Sequence, residues 1–129
     1  WMEQVVEFVK KTGYTKTLYG RRRYLPGIYE KNKNLFELAR RMAINTPAQG
    51  MAAEVTKIGM ISFFKALHDH KLDGKILLQI HDELLVTCPD DQVEKTAKLL
   101  EKSLIDAVSW DIPLEVSIRS GKNWRAVSK

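Results

Sequence analysis

The spacing of hydrophobic residues divides the chain into four helical segments. Apolar residues at helical intervals predict helices over residues 2–11, 35–45, 48–70 and 91–108. Residues 32–34 offer N-cap side chains, and Thr46-Pro47 predicts a kink or a restart between the second and third helices. The third helix carries apolar residues around most of its circumference, so we expect it to be largely buried.

Short apolar or alternating runs predict strands at residues 14–18, 24–25, 75–80, 84–86 and 114–118. The first two form a basic hairpin around Gly20 and the arginines that follow it. The last three form a small antiparallel sheet covered by two long helices. This combination predicts an α+β fold.

Three polar residues, His81, Asp82 and Glu83, occupy the tip of the second predicted hairpin. A tight turn with no role beyond connecting two strands favours Asn-Gly or Asp-Gly, because those residues tolerate positive φ. Two adjacent carboxylates at a strand tip suit the binding of a divalent metal ion. A solvated acidic turn fits the local pattern equally well.

Positive charge is concentrated in one part of the chain. The net charge is +5, yet residues 10–41 hold ten Lys and Arg against two acids, Glu30 and Glu37. Such a basic lobe predicts binding to a phosphate backbone, although a solvated face kept for solubility is the alternative. Arg21, Arg22 and Arg23 favour binding, since adjacent guanidiniums repel each other unless an anion is near.

A row of hydrogen-bonding side chains follows the second helix. Arg41, Asn45 and Gln49 recur at every fourth position and share one face, whereas we expect Leu38 and Met42 to point toward the core. Every base pair presents acceptors in the minor groove, so such donors could check pair geometry without reading sequence. A polar solvent face has the same spacing. The row also requires the predicted kink to keep Gln49 in line.

Composition narrows the class of protein. At 129 residues with 44% hydrophobic and 29% charged residues, the chain has the size and composition of one globular domain. No apolar run approaches the roughly 20 residues of a membrane span, and we expect no signal peptide and no membrane partner. The single cysteine, Cys88, fits a reducing, cytoplasmic setting, and we expect it to act as a buried small hydrophobe.

Three motifs together resemble the C-terminal part of a family A DNA polymerase. They are residues 17–23 (TLYGRRR), residues 41–50 (RMAINTPAQG) and residues 79–84 (QIHDEL). Their order and separation agree with the family, as does the ending at residues 113–124. The resemblance covers essentially the whole chain, and the motifs are jointly very specific.

The resemblance implies nucleotidyl transfer from a deoxynucleoside triphosphate (dNTP) to a primer 3′-hydroxyl, with two Mg²⁺ ions about 3.5–4 Å apart. It assigns Asp82 as a catalytic aspartate and metal ligand, and Glu83 as its supporting neighbour. It places His81 and Gln79 near the primer terminus. These enzymes act in DNA replication and repair.

The resemblance also implies the DNA contacts. Arg41, Asn45 and Gln49 match residues that line the minor groove of the new primer–template duplex. Arg21 and Arg22 belong to a hairpin that resembles the part of the fingers lying along the template.

By the same resemblance, residues 1–45 are the end of the fingers subdomain and residues 46–129 the C-terminal half of the palm. We expect the other catalytic aspartate, and the rest of the palm, fingers and thumb, to lie in the same polypeptide outside this chain. The isolated chain is therefore expected to be inactive. The full protein is expected to be cytoplasmic and associated with the nucleoid.

Some residues depart from the family pattern, and other interpretations stay open. The family usually has other residues at four positions, which here carry Arg40, Met51, Glu54 and Ile80. The protein could be a degenerate polymerase that binds duplex DNA without synthesis, or a plain interaction domain. A His-Asp phosphohydrolase is disfavoured, because its doublet lies on helices with further histidines, whereas His68 and His70 lie at a predicted exposed helix end.

Overall fold

Four α-helices and two antiparallel sheets of two strands each form within residues 1–111 and 113–128, the residues that the computed structural model describes. This architecture confirms the predicted α+β class. The chain divides into two compact units, Trp1–Glu54 and Val55–Lys129, which are described in turn.

The first unit begins with helix α1, Met2–Thr12, and a short hairpin of strands β1, Tyr14–Lys16, and β2, Arg22–Tyr24. Gly13 ends α1 with a φ of 80°, a conformation that glycine adopts without steric cost, and its N–H donates to the Val9 carbonyl at 2.7 Å. The predicted helix and basic hairpin are thus confirmed. Their core contains Val6, Val9, Leu25, Ile28, Ala39 and Ala43.

Helix α2 spans Lys33–Asp69 without interruption, although Pro47 lies inside it. The helix restart predicted at Thr46-Pro47 is wrong, and so is the capping role of Thr46. The Thr46 hydroxyl instead donates to the Met42 carbonyl one turn back, at 2.6 Å. The predicted cap before the helix is confirmed, because the Asn32 side chain accepts from the N–H groups of Asn34 and Leu35.

The second unit pairs strand β3, Lys75–Ile80, with strand β4, Glu83–Thr87, in antiparallel register with an irregularity between Ile76 and Leu78. A 3₁₀ turn leads into helix α3, Val93–Ile105, and the short helix α4 covers Trp124–Val127. The core of this unit is built around three buried residues from α2 and α3, which are Phe63, Leu67 and Leu100.

The third strand of the predicted sheet is absent from the described residues. Burial alternates along residues 114–118, with Leu114, Val116 and Ile118 half-buried, yet the segment is not assigned to a strand. Alternation reports which side chains face the protein, whereas a strand also needs a hydrogen-bonded neighbour. Ile118 packs on the core of the second unit.

Burial along α2 is less complete than its sequence predicts. Phe63 and Leu67 are buried, but Ile61 is 57% exposed and Phe64 is 69% exposed. Leu38, which we expected to point toward the core, is 41% exposed. Met42 is half-buried and packs against the core of the first unit. Within the described part of the chain, no helix is long and apolar enough to cross a membrane.

Candidate nucleic-acid interface and carboxylate turn

The predicted row of donors lies on the exposed face of α2. Arg41, Asn45 and Gln49 are all exposed, while Ala39 and Ala43 are buried in the core of the first unit. Four residues turn about 40° more than one full turn of the helix, so the three side chains lie within an arc of about 80°. The structure therefore brings the three residues onto one accessible surface that can donate to a ligand.

The three consecutive arginines of the hairpin are exposed and have different partners. Arg21 Nε lies 3.2 Å from Glu54 Oε1, and the Arg22 guanidinium lies 4.7 Å from the centre of the Tyr14 ring. Arg23 Nη1 donates to Thr46 Oγ1 at 3.3 Å. Neighbouring guanidiniums thus contact separate groups, which keeps them apart, and all three side chains stay exposed to an anion.

A buried polar cluster holds the hairpin on α2. Thr17 Oγ1 donates to Glu54 Oε1 at 3.0 Å and accepts from the Arg21 N–H at 3.2 Å. Thr17 and Glu54 are 3% and 8% exposed, so these bonds are shielded from water. A Cβ on Gly50 would lie only 2.5 Å from Thr17 Cγ2, which shows how closely the hairpin approaches the helix.

Sequence reasoning missed this cluster. A glutamate is rarely buried, and the only feature that distinguishes Glu54 in the sequence is that the family usually has another residue there. One signal was available: Thr15 of β1 and Thr17, just after the strand, are two positions apart and share a face. Both side chains are buried, and Thr15 Oγ1 donates to the Ala43 carbonyl at 3.1 Å.

The carboxylate turn, residues 81–83, lies in the second unit. Ile80 pairs with Glu83, leaving His81 and Asp82 as a two-residue turn. His81 has a φ of 53° and Asp82 does not have a positive φ, which is the φ pattern of a type II′ turn. All three turn residues are exposed, and Gln79 Nε2 donates to the His81 carbonyl at 3.2 Å.

His81 therefore occupies a backbone region that is uncommon for residues other than glycine. Such conformations cost about 1–2 kcal/mol and concentrate at functional sites. The backbone conformation of the turn is therefore costly for histidine, whereas glycine would adopt it without steric cost.

The turn can supply part of a metal site. Across residues 1–111 and 113–128, no group of three or more His, Cys, Asp or Glu side chains is placed to hold a metal ion. Mg²⁺ in nucleotide-processing sites is usually held by one or two carboxylates together with substrate phosphates. Asp82 and Glu83 fit that donor chemistry, and further ligands would have to come from elsewhere.

Three further residues were singled out in the sequence: Arg40 and Met51 as departures from the family pattern, and Cys88 as the single cysteine. Arg40 Nη1 lies 3.6 Å from Glu37 Oε2, so part of its charge is balanced within α2. Met51 lines an apolar cavity of about 600 Å³ together with Phe8, Leu18 and Pro47. Nothing in the structure explains an effect of this methionine on DNA binding. Cys88 is a free thiol and half-buried, less buried than expected.

Comparisons with known proteins agree along the whole chain. Residues 1–126 match the model of a family described as DNA polymerase family A. A protein named DNA polymerase I from Mycobacterium bovis is 41% identical over 128 residues, which are 99% of this chain and 14% of that protein. A protein of the same name from Bacillus caldotenax is 40% identical over 96% of this chain and 14% of its own length.

A solved structure is also similar. It is described as the POL domain of Pol1 from M. smegmatis in complex with DNA primer–template and dNTP. It shares 41% sequence identity with a TM-score of 0.91, and the match covers 97% of this chain and 22% of that chain. The chain thus spans a small part of the proteins and structures that it matches.

Proposed function

The chain belongs to DNA polymerase family A, and on that premise we propose that it is part of a template-directed DNA polymerase. The reaction is nucleotidyl transfer from a dNTP to the 3′-hydroxyl of a primer. The observation that carries the proposal is the TM-score of 0.91 to a polymerase domain in complex with primer–template and dNTP. The motifs of the sequence support it independently.

The first unit supplies duplex contacts in this proposal. Arg41, Asn45 and Gln49 donate to the minor-groove acceptors that every base pair presents. Arg21 and Arg22 lie along the template backbone, where phosphates supply the anions that an exposed arginine cluster favours. This role requires all five side chains to be exposed, as they are, and it requires Arg41, Asn45 and Gln49 to share a helix face.

The second unit supplies catalytic groups. Asp82 would hold Mg²⁺, Glu83 would support that site, and His81 and Gln79 would lie near the primer terminus. Two Mg²⁺ ions, when bound, stabilise the attacking and leaving oxygens of the in-line displacement. The type II′ φ pattern holds the Asp82 carboxylate at the exposed tip of β3 and β4, where it is accessible to substrate.

The remainder of the protein completes the site. We propose that residues 1–45 end the fingers subdomain and that residues 46–129 form the C-terminal half of the palm. The other catalytic aspartate then lies in the same polypeptide outside this chain, and the isolated 129 residues do not extend a primer. Extension by the purified fragment that Asp82→Ala abolishes would contradict this. A cytoplasmic, nucleoid-associated location stays a prediction.

The decisive experiment is primer extension by the full-length protein that carries this chain. Asp82→Asn should lower the rate of single-nucleotide addition at least about a thousandfold, since a lost metal ligand removes several kcal/mol of transition-state stabilisation. The matched control is Asp91→Asn, which changes another exposed aspartate of the second unit and should leave the rate unchanged.

The same experiment tests the alternative function. If the unmodified protein binds primer–template but never adds a nucleotide, the alternative of a degenerate, non-catalytic duplex-binding polymerase is supported. If it adds nucleotides and Asp82→Asn retains the full rate, the catalytic assignment of Asp82 is wrong.

A further inference from the structure

Helix α2 continues through Pro47 although proline cannot complete the helical hydrogen bonding. A proline nitrogen carries no hydrogen, so the carbonyl four residues earlier, that of Ala43, loses its usual donor. Ala43 is 0% exposed, and water therefore has no ready access to this carbonyl. A buried acceptor without a donor is costly enough to bend or open a helix.

The missing donor comes from the hairpin. Thr15 Oγ1 donates to the Ala43 carbonyl at 3.1 Å, and Thr15 is 1% exposed. Thr15 is the central residue of β1, paired with Arg23 of β2. Its position is therefore fixed by strand pairing, and its hydroxyl reaches the helix at the carbonyl that proline has left unpaired.

The proline lies within the donor row, by which we mean Arg41, Asn45 and Gln49. Arg41 and Asn45 precede Pro47, whereas Gln49 follows it. A regular helix keeps side chains at four-residue spacing within one arc, so the expectation that the row requires a kink is wrong. A bend between Asn45 and Gln49 would instead turn Gln49 away from the arc that the other two donors occupy.

We propose that Thr15 is a positioning residue for duplex binding: its hydroxyl replaces the absent Pro47 N–H and keeps Gln49 aligned with Arg41 and Asn45. The replacement of the Pro47 N–H by the Thr15 hydroxyl involves only residues of the first unit. Its effect on duplex binding rests on the proposed role of the donor row.

The test uses the full-length protein with Thr15→Val, which keeps the shape of the side chain and removes the hydroxyl. The KM for primer–template should rise about fivefold, the effect of losing the one hydrogen bond that a misaligned Gln49 no longer makes to the duplex. The kcat and the KM for dNTP should not change. Thr15→Ser, which retains the hydroxyl, should restore the KM. The control is Thr87→Val, which changes an exposed threonine of β4.

A second variant separates positioning from simple loss of stability. Pro47→Ala returns an N–H to the helix at the correct place to bond the Ala43 carbonyl. In the Thr15→Val background it should therefore bring the KM for primer–template back toward that of the unmodified protein. If Thr15→Val alone folds poorly, this double variant still reports on the mechanism.

The outcomes are distinguishable. An unchanged KM in Thr15→Val, or a double variant as impaired as Thr15→Val, overturns the inference. Arg41→Ala is measured in parallel. If Arg41→Ala also leaves the KM for primer–template unchanged, the proposed role of the row fails as well. If Arg41→Ala raises it and Thr15→Val does not, only the inference about Thr15 fails.

Discussion

The donor row of the first unit and the carboxylate turn of the second unit are both exposed, but they are held by different means. The row lies on a helix that buried side-chain bonds from Thr15 and Thr17 tie to the hairpin. The turn is defined by backbone pairing of β3 with β4 and by the positive φ of His81. One site should therefore be sensitive to polar side-chain changes beneath it, and the other to changes of backbone preference.

The largest expected effect on affinity, as opposed to reaction rate, distinguishes the two sites by what they bind. Arg41→Ala in the full-length protein should weaken affinity for primer–template about 10- to 100-fold, because hydrogen bonds from charged donors are worth about 1.5–3 kcal/mol. Equilibrium binding at constant salt measures it, with Arg125→Ala as an exposed control in the second unit. If Asp82→Asn weakened binding as much as Arg41→Ala, the division between a binding site and a catalytic site would be wrong.

A smaller effect tests the packing beneath the row. Gly50→Ala places a methyl group 2.5 Å from Thr17 Cγ2, which hydrogen bonding to Glu54 prevents from moving freely. We expect the hairpin to lose about 2 kcal/mol of local stability, as for other overpacked sites. Faster amide hydrogen exchange across residues 14–24 measures it. Ala53→Ser, on the exposed side of the same helix, should change nothing, and equal protection in both variants would contradict the close contact.

The smallest effect tests the backbone of the turn. His81→Val should lower the local stability of β3 and β4 by about 1 kcal/mol, because a β-branched residue is strongly disfavoured at a φ of 53°. His81→Gly removes the steric cost and should not lower it. Exchange of the β3 and β4 amides distinguishes the two variants. Identical effects of valine and glycine would show that backbone conformation does not govern this turn.

Local sequence patterns predicted the elements whose stability is local. The α1 helix, its ending at Gly13 and the tip of the second hairpin follow from periodicity and turn chemistry. The helix restart predicted at Pro47 is wrong, and the Ala43 carbonyl that Pro47 leaves without its helical donor accepts a bond from Thr15, 28 positions away in the sequence. Tertiary hydrogen bonding overrode a local rule there.

The other errors share one cause: a pattern of apolar residues does not identify the neighbour that covers them. Residues 114–118 alternate in burial without forming a described strand, and Phe64 is exposed on a helix that looks apolar all round. The motif residues of the sites were found by resemblance, since a row of Arg, Asn and Gln is common on solvated helices. The buried Glu54 had no local signal strong enough to outweigh the usual exposure of a charge.

The exposed apolar side chains of α2 have a practical consequence for solubility. Ile61 and Phe64 lie about one turn apart and keep more than half of their surface in water, and Leu77 of β3 is 53% exposed. Exposed hydrophobic side chains of this size promote self-association in concentrated solution, which a net charge of +5 only partly opposes. A preparation of these 129 residues alone should therefore form concentration-dependent oligomers, and a longer polypeptide is the better material for quantitative work.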